Sequence, residues 1–216
     1  MKALVRKRSG LTRTEIAKAI GKKSGGALSE MLASLENSGF IRHQCPLGNR
    51  KDETLYRLDD PFCRFYLTFV EDNADHHFWQ NSRNEGRTAA WRGLSFEELC
   101  MKHVDRIKNA LRVGGVVSSE STLTLKSDDE GEGMQIDLII IRNDNVVNLC
   151  EIKFTTSPFV IDNNYHDILL RRIERLRELL HDDNKSIHLT FITSKGLKHN
   201  VYSGIVQNEV MLDDLF

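Results

Sequence analysis

Residues 134–154, MQIDLIIIRNDNVVNLCEIKF, constrain the fold of this chain more than any other stretch. Two apolar runs flank Arg142-Asn143-Asp144-Asn145, a polar, turn-forming cluster, and that pattern predicts a β-hairpin. Three charges sit inside the runs: Asp137 in the first, Glu151 and Lys153 in the second. Strand side chains alternate faces, so Glu151 and Lys153 share a face with Val147 and Leu149, while Asp137 shares one with Ile139 and Ile141. An unpaired charge on an apolar face costs several kcal/mol, so these three need partners, and a bound metal ion is a strong candidate.

The chain of 216 residues allows one large or two small domains. Its 40% hydrophobic and 28% charged residues fit a soluble globular protein. No apolar run reaches the roughly 18–20 residues of a membrane span, so no membrane partner is expected. The N-terminus, MKALVRKRSGLTR, is basic but lacks the apolar core of a secretory signal. Cys45, Cys63, Cys100 and Cys150 are scattered without CxxC spacing, which fits reduced structural thiols in a cytoplasmic protein better than a zinc site. Net charge is −1, unevenly spread: residues 1–58 carry +7 and the remainder −8. A basic N-terminal segment on an acidic body suits a nucleic-acid-facing module, or merely reflects solvated faces that differ.

The first module spans residues 1–75. Thr12 followed by Glu15 forms a capping box, Ile16, Ala17 and Ile20 have helical spacing, and Gly21 stops that helix. A second helix carries Leu28, Met31, Leu32 and Leu35, and Gly39 ends it. Two strand-like pieces then flank Pro46-Leu47-Gly48-Asn49. The order matches a winged helix-turn-helix, and the segments LTRTEIA and LASLENSGFI resemble that family over residues 1–58. The second helix, Gly26 to Asn37, contains Glu30 and Glu36 but no Lys or Arg; only Ser29 and Ser34 are modest candidates for reading bases. Basic residues lie beside it, with Lys22 and Lys23 in the turn and Arg42, His43, Arg50 and Lys51 in the wing. This placement suits phosphate contacts to nucleic acid, or a protein partner, better than sequence readout. Asp60-Pro61 starts a further helix, and polar residues 76–90, with His76 and His77, read as a linker.

The second module spans residues 91–216. The helix LSFEELCMKHVDRIKNAL has an apolar stripe of Leu94, Cys100, Val104, Ile107 and Leu111. Glu97 falls on that stripe, whereas Glu98 falls with Lys102 and Asp105 on the solvated side. A strand over 115–125, a charged loop over 127–133 and the hairpin follow. An amphipathic helix then carries Tyr165, Leu169, Ile173, Leu176 and Leu180 on one face, with Arg171 and Arg172 expected near its start. SIHLTFITS and GIVQNEVMLDDLF give two more strands.

This layout, with Glu97, Asp137 and Glu151-x-Lys153 in order, resembles the PD-(D/E)xK nuclease superfamily, although Ile136 stands where that family usually has proline. The resemblance implies an α+β or α/β chain: a winged helix-turn-helix followed by a restriction-endonuclease-like three-layer α/β/α core with a mixed sheet. It also implies a Mg²⁺- or Mn²⁺-dependent nuclease acting on DNA. Asp137 and Glu151 would supply metal-ligating oxygens, with Glu97 and the Ile152 backbone carbonyl completing the shell. Lys153 would orient or deprotonate water, or stabilise developing charge. Arg171 and Arg172 would face substrate phosphate. A buried ion pair without turnover is the alternative for the same residues.

A broader resemblance spans nearly the whole chain, through LYRLDDPFCRFYLTFV, WRGLSFEELC, QIDLIIIR and NLCEIKF. These resemble the C-terminal half of a family of prokaryotic P-loop ATPases of unknown role. Gly21-Lys22-Lys23-Ser24 does not complete a phosphate-binding loop, since Ile16 stands where its first glycine belongs, so ATP binding does not carry over. The chain is then expected to be a fragment, a split gene product, or a protein working with a separate P-loop ATPase. A homodimer is a further expectation, because nucleases that cut both strands often dimerise.

Overall fold

The capping box at Thr12 sets the first stable turn of the N-terminal unit. The Thr12 hydroxyl accepts from the Glu15 amide at 3.2 Å, and the Glu15 carboxylate accepts from the Thr12 amide at 2.8 Å. The computed structural model describes residues 1–7, 9–49, 53–71, 77, 86–125 and 133–216, the side chain of Arg87 apart. These fall into two units, Met1–Trp91 and Arg92–Phe216.

The first unit begins with α1 (Lys2–Arg6), β1 (Leu11–Thr12), α2 (Arg13–Ala19) and α3 (Gly26–Asn37). Next come β2 (Ile41–Gln44), β3 (Leu55–Leu58) and α4 (Pro61–Phe65), which runs into a π-helical turn over Tyr66–Val70. Gly21 and Gly39 take φ of +66° and +73°, the left-handed backbone that ends a helix at low cost. The three strands form an antiparallel sheet in the order β1-β3-β2. Leu4, Leu11, Ile16, Ala17, Leu28, Leu32, Ile41 and Leu58 pack as its core. Both α1 and β1 lie outside the sequence reading; five- and two-residue elements carry too little periodicity to register.

The second unit is a mixed α+β structure. It begins within α5 (Gly86–Lys102), so residues 86–90, which read as linker, are helical. α6 (Val104–Ala110), β4 (Ser118–Leu125), β5 (Met134–Arg142) and β6 (Val146–Lys153) follow. Then come β7 (Phe159–Val160), α7 (Asn163–Leu180), β8 (Ser186–Thr193), β9 (Leu197–Lys198) and β10 (Asn208–Met211). Five strands form one mixed sheet in the order β10-β8-β6-β5-β4. β4, β5 and β6 are antiparallel neighbours, and β8 and β10 run parallel to β6. β7 and β9 form a separate parallel pair. Phe96, Cys100 and Ile107 pack with Leu138, Ile140, Cys150, Ile152 and Ile192 on one sheet face. Glu151 alternates with Cys150 and Ile152 and so points to the other face, where α7 meets it.

The single helix expected over 94–111 is broken at His103. Its amide is shared between the carbonyls of Leu99 and Cys100, and its ring lies against that of the C-terminal Phe216. No disulfide links the four cysteines; Cys100 and Cys150 are buried, which pushes both thiols up. Among the described residues, no helix is long and apolar enough to cross a membrane.

Candidate active site

The β5–β6 hairpin ends its ladder at the pair Leu138↔Cys150. One step further, the Asp137 carboxylate takes the Ile152 amide at 3.4 Å, and Gln135 Nε2 approaches its other oxygen at 3.4 Å. A side chain thus occupies the place where strand pairing would continue. In an extended strand the Ile152 carbonyl points to the same strand edge as its own N–H, the edge toward β5.

Glu97 reaches this point from α5, and its carboxyl hydrogen-bonds that of Asp137. Burial, the Glu97 charge and this shared hydrogen bond together raise Asp137 to about 7, and the Lys153 charge and the Ile152 amide do not offset them. Asp137 therefore keeps its proton to a much higher pH than an ordinary carboxyl does.

Glu151 is fully buried, and both its oxygens are engaged. Oε1 accepts from Arg172 Nη1; Oε2 accepts from the Tyr165 hydroxyl at 2.8 Å and lies 3.2 Å from Lys153 Nζ. Lys153 also sits over the Tyr165 ring, 5.4 Å from its centroid. Burial pulls Lys153 down, but Glu151, Tyr165 and Asp137 outweigh it, so the ammonium is held above its ordinary range. Burial and the Glu151 charge push the Tyr165 hydroxyl up to about 12.

The structure thus brings Glu97, Asp137, Glu151 and Lys153 to one place, and adds Tyr165 and Arg172. Tyr165 was read only as part of the apolar stripe of α7. Its position seven residues before Arg172 puts the two on one helix face, which was the available signal. Two expectations change. Arg171 and Arg172 sit in the middle of α7, not near its start; Arg171 is exposed, and Arg172 is spent on Glu151 rather than open to substrate. Glu98 is not solvated: it is 4% exposed against 8% for Glu97. Phe96, Glu97 and Glu98 are all buried, so that turn of α5 is enclosed around most of its circumference, although Lys102 one turn later is exposed.

In the first unit, Lys22 and Lys23 are exposed between α2 and α3. Arg42 is held by Asp59 at 3.2 Å and by Gln44 at 3.1 Å. The His43 ring meets the Glu36 carboxylate, which also accepts the His43 amide at 3.1 Å. Glu36 thus fastens α3 to β2. Arg50 and Lys51 lie outside the described residues.

Among the described residues, no group of three or more His, Cys, Asp or Glu side chains is placed to hold a metal ion. The donor chemistry nevertheless fits a hard divalent cation at Glu97 and Asp137: two carboxyls share one spot, where burial and then their mutual repulsion raise Asp137. Mg²⁺ sites commonly use only one or two carboxylates, with water and phosphate supplying the rest.

No family model matches the chain, and no curated protein does. Among solved structures, it is similar to one titled "Crystal Structure of Protein of Unknown Function AF1548", with a TM-score of 0.35 and 14% identity. The match covers 52% of this chain and 56% of that one, so it spans little more than half of that protein's length.

Proposed function

We propose that the second unit is a PD-(D/E)xK-type core carrying a Mg²⁺- or Mn²⁺-dependent phosphodiester hydrolase site for DNA, and that the first unit is a winged helix-turn-helix. The observation that carries this reading is the meeting of Glu97, Asp137, Glu151 and Lys153 where β5 and β6 part. Asp137 and Glu97 would hold the cation, with the Ile152 carbonyl beside them and Glu151 joining once released from Arg172. Such an ion lowers the pKa of a bound water and offsets phosphate charge. Lys153, held protonated by Glu151, acts as a fixed cation and proton donor for charge developing on phosphate, not as a base. A cation held there would favour the ionised form of Asp137, its proton passing to solvent. Lys22 and Lys23 would contact phosphate backbone without reading sequence. A separate P-loop ATPase remains a proposed partner through the sequence resemblance alone.

Cleavage of plasmid, single-stranded and branched DNA with Mg²⁺ or Mn²⁺ tests this. Wild type cuts at least one substrate, and Asp137→Ala and Lys153→Ala abolish cutting. Identical behaviour of all three proteins on every substrate removes the hydrolase reading. The engagement of both Glu151 oxygens favours a second reading, a nuclease-fold binding module without turnover. That reading expects salt-dependent DNA binding that survives Lys153→Ala but weakens with Lys22→Ala/Lys23→Ala.

A further inference from the structure

Glu151 has no exposed surface, and two cations and a hydroxyl already satisfy it. These partners differ in origin. Lys153 shares the strand with Glu151, two residues away, and its ammonium lies beside the same Oε2 that Tyr165 bonds, which leaves Oε1 to Arg172. Arg172 arrives from α7 on a long, rotatable side chain that keeps 20% of its surface in water. Tyr165 stands on the same helix face, its backbone fixed in the first turn by the Asp162 carboxylate, which accepts the Tyr165 amide at 2.8 Å. The lever is therefore Arg172, and the post is Tyr165.

We infer that Arg172 competes with a divalent cation for Glu151, so that the site is latched by its own arginine until a metal ion displaces it. This rests on the proposed metal-dependent reading of the same site. A guanidinium and a divalent cation cannot both sit on Oε1 in a water-poor pocket without strong repulsion. Carboxylate ligands must also be released by their counter-ions before a cation can use them. Displacement frees Arg172 to swing toward solvent, where its planar fork suits a phosphate. Tyr165 keeps Glu151 oriented throughout by bonding the other oxygen, as hydrogen-bonded neighbours of metal-ligating carboxylates do.

The test uses the full chain in two arms. In the first, Mn²⁺ binding is followed by electron paramagnetic resonance for wild type, Arg172→Gln and Asp137→Asn. Arg172→Gln should bind Mn²⁺ on the order of tenfold more tightly, the lower end of what residues around metal ligands contribute. In the second, the Arg172 Nε–H signal of ¹⁵N-labelled wild type is followed as Mg²⁺ is added, which needs no variant to fold. That signal should shift and lose protection from solvent exchange. Unchanged or weaker Mn²⁺ binding by folded Arg172→Gln, or an Arg172 signal indifferent to saturating Mg²⁺, overturns the latch. If Asp137→Asn still weakens Mn²⁺ binding in that case, the metal site stands and only the latch is lost. If neither wild type nor Arg172→Gln binds Mn²⁺, both ideas fall together.

Discussion

The Tyr165 hydroxyl donates to Glu151 Oε2 at 2.8 Å, joining α7 to the central strand β6 across fourteen positions of chain. Glu151 is fully buried, so the bond is made to a charge that water does not reach. Tyr165→Phe keeps the ring and deletes only the donor. It should lower unfolding free energy by about 1–2 kcal/mol, toward the lower end for bonds to charged groups because Tyr165 is partly exposed. Urea unfolding at neutral pH measures this, and an unchanged midpoint would show that water replaces the hydroxyl.

Removing the carboxylate itself should be worse. Glu151→Ala leaves Lys153 and Arg172 facing one another with no anion between them. Breaking a buried pair from one side costs about 3–5 kcal/mol, whatever the pair contributed when intact. A loss near 3 kcal/mol is expected, since both cations retain some solvent. Many sites built for function become more stable when their charges are removed, so a stabilised Glu151→Ala protein would contradict the compensation described for Glu151.

Asp137 gives a pH dependence with a definite sign. Its folded value of about 7 lies above the ordinary 3.8, so between these limits the folded state holds a proton that the unfolded state has lost. Stability therefore falls as pH rises through that window, and flattens above it. In chelator, wild type should have a lower urea midpoint at pH 8 than at pH 5, and Asp137→Asn should reduce that difference. Equal slopes for the two proteins would place the proton elsewhere.

Gly10 has φ of +89°, and a Cβ there would lie 2.9 Å from both Arg57 Cγ and the Tyr56 carbonyl oxygen. The backbone oxygen cannot move aside as a flexible side chain can. Gly10→Ala should cost about 1–3 kcal/mol for the left-handed conformation alone. Loosening the contact of β1 with β3 should add to it. Thermal unfolding against wild type checks this; a shift within error would mean the turn rebuilds.

Thr12→Ala removes one half of the capping box and should cost about 1 kcal/mol, the common value for losing such a cap. Thr12→Ser, which preserves the hydroxyl, should recover most of it in the same unfolding measurement.

The hairpin was legible because its two signals agree: apolar runs long enough for strands, and a turn rich in Asn and Asp. The bounds of α3 were legible because glycines mark both ends. The break at His103 was not, since no glycine or proline marks it in LCMKHVDR. Alternation places Asp137 and Glu151 on known faces, but says nothing of a strand pair that parts after Leu138. That parting lets Glu97, from a helix packed on one face, reach a carboxyl whose neighbour Glu151 meets a helix on the other. Arg172 has no local mark of its partner, because it is one of four arginines in a charged helix and Glu151 lies 21 positions earlier.

Beyond the last residues of β6 and β8, the chain is stitched a second time. The Ser194 amide reaches the Lys153 carbonyl at 3.3 Å, its hydroxyl exchanges two 2.7 Å bonds with the Thr155 backbone, and β7 pairs with β9. The backbone carrying Lys153 is thus clamped on both sides of its exit from the sheet. Rearrangement of the charged cluster is then a matter for its side chains, those of Glu97, Tyr165 and Arg172 reaching in from α5 and α7, rather than for the backbone of β6.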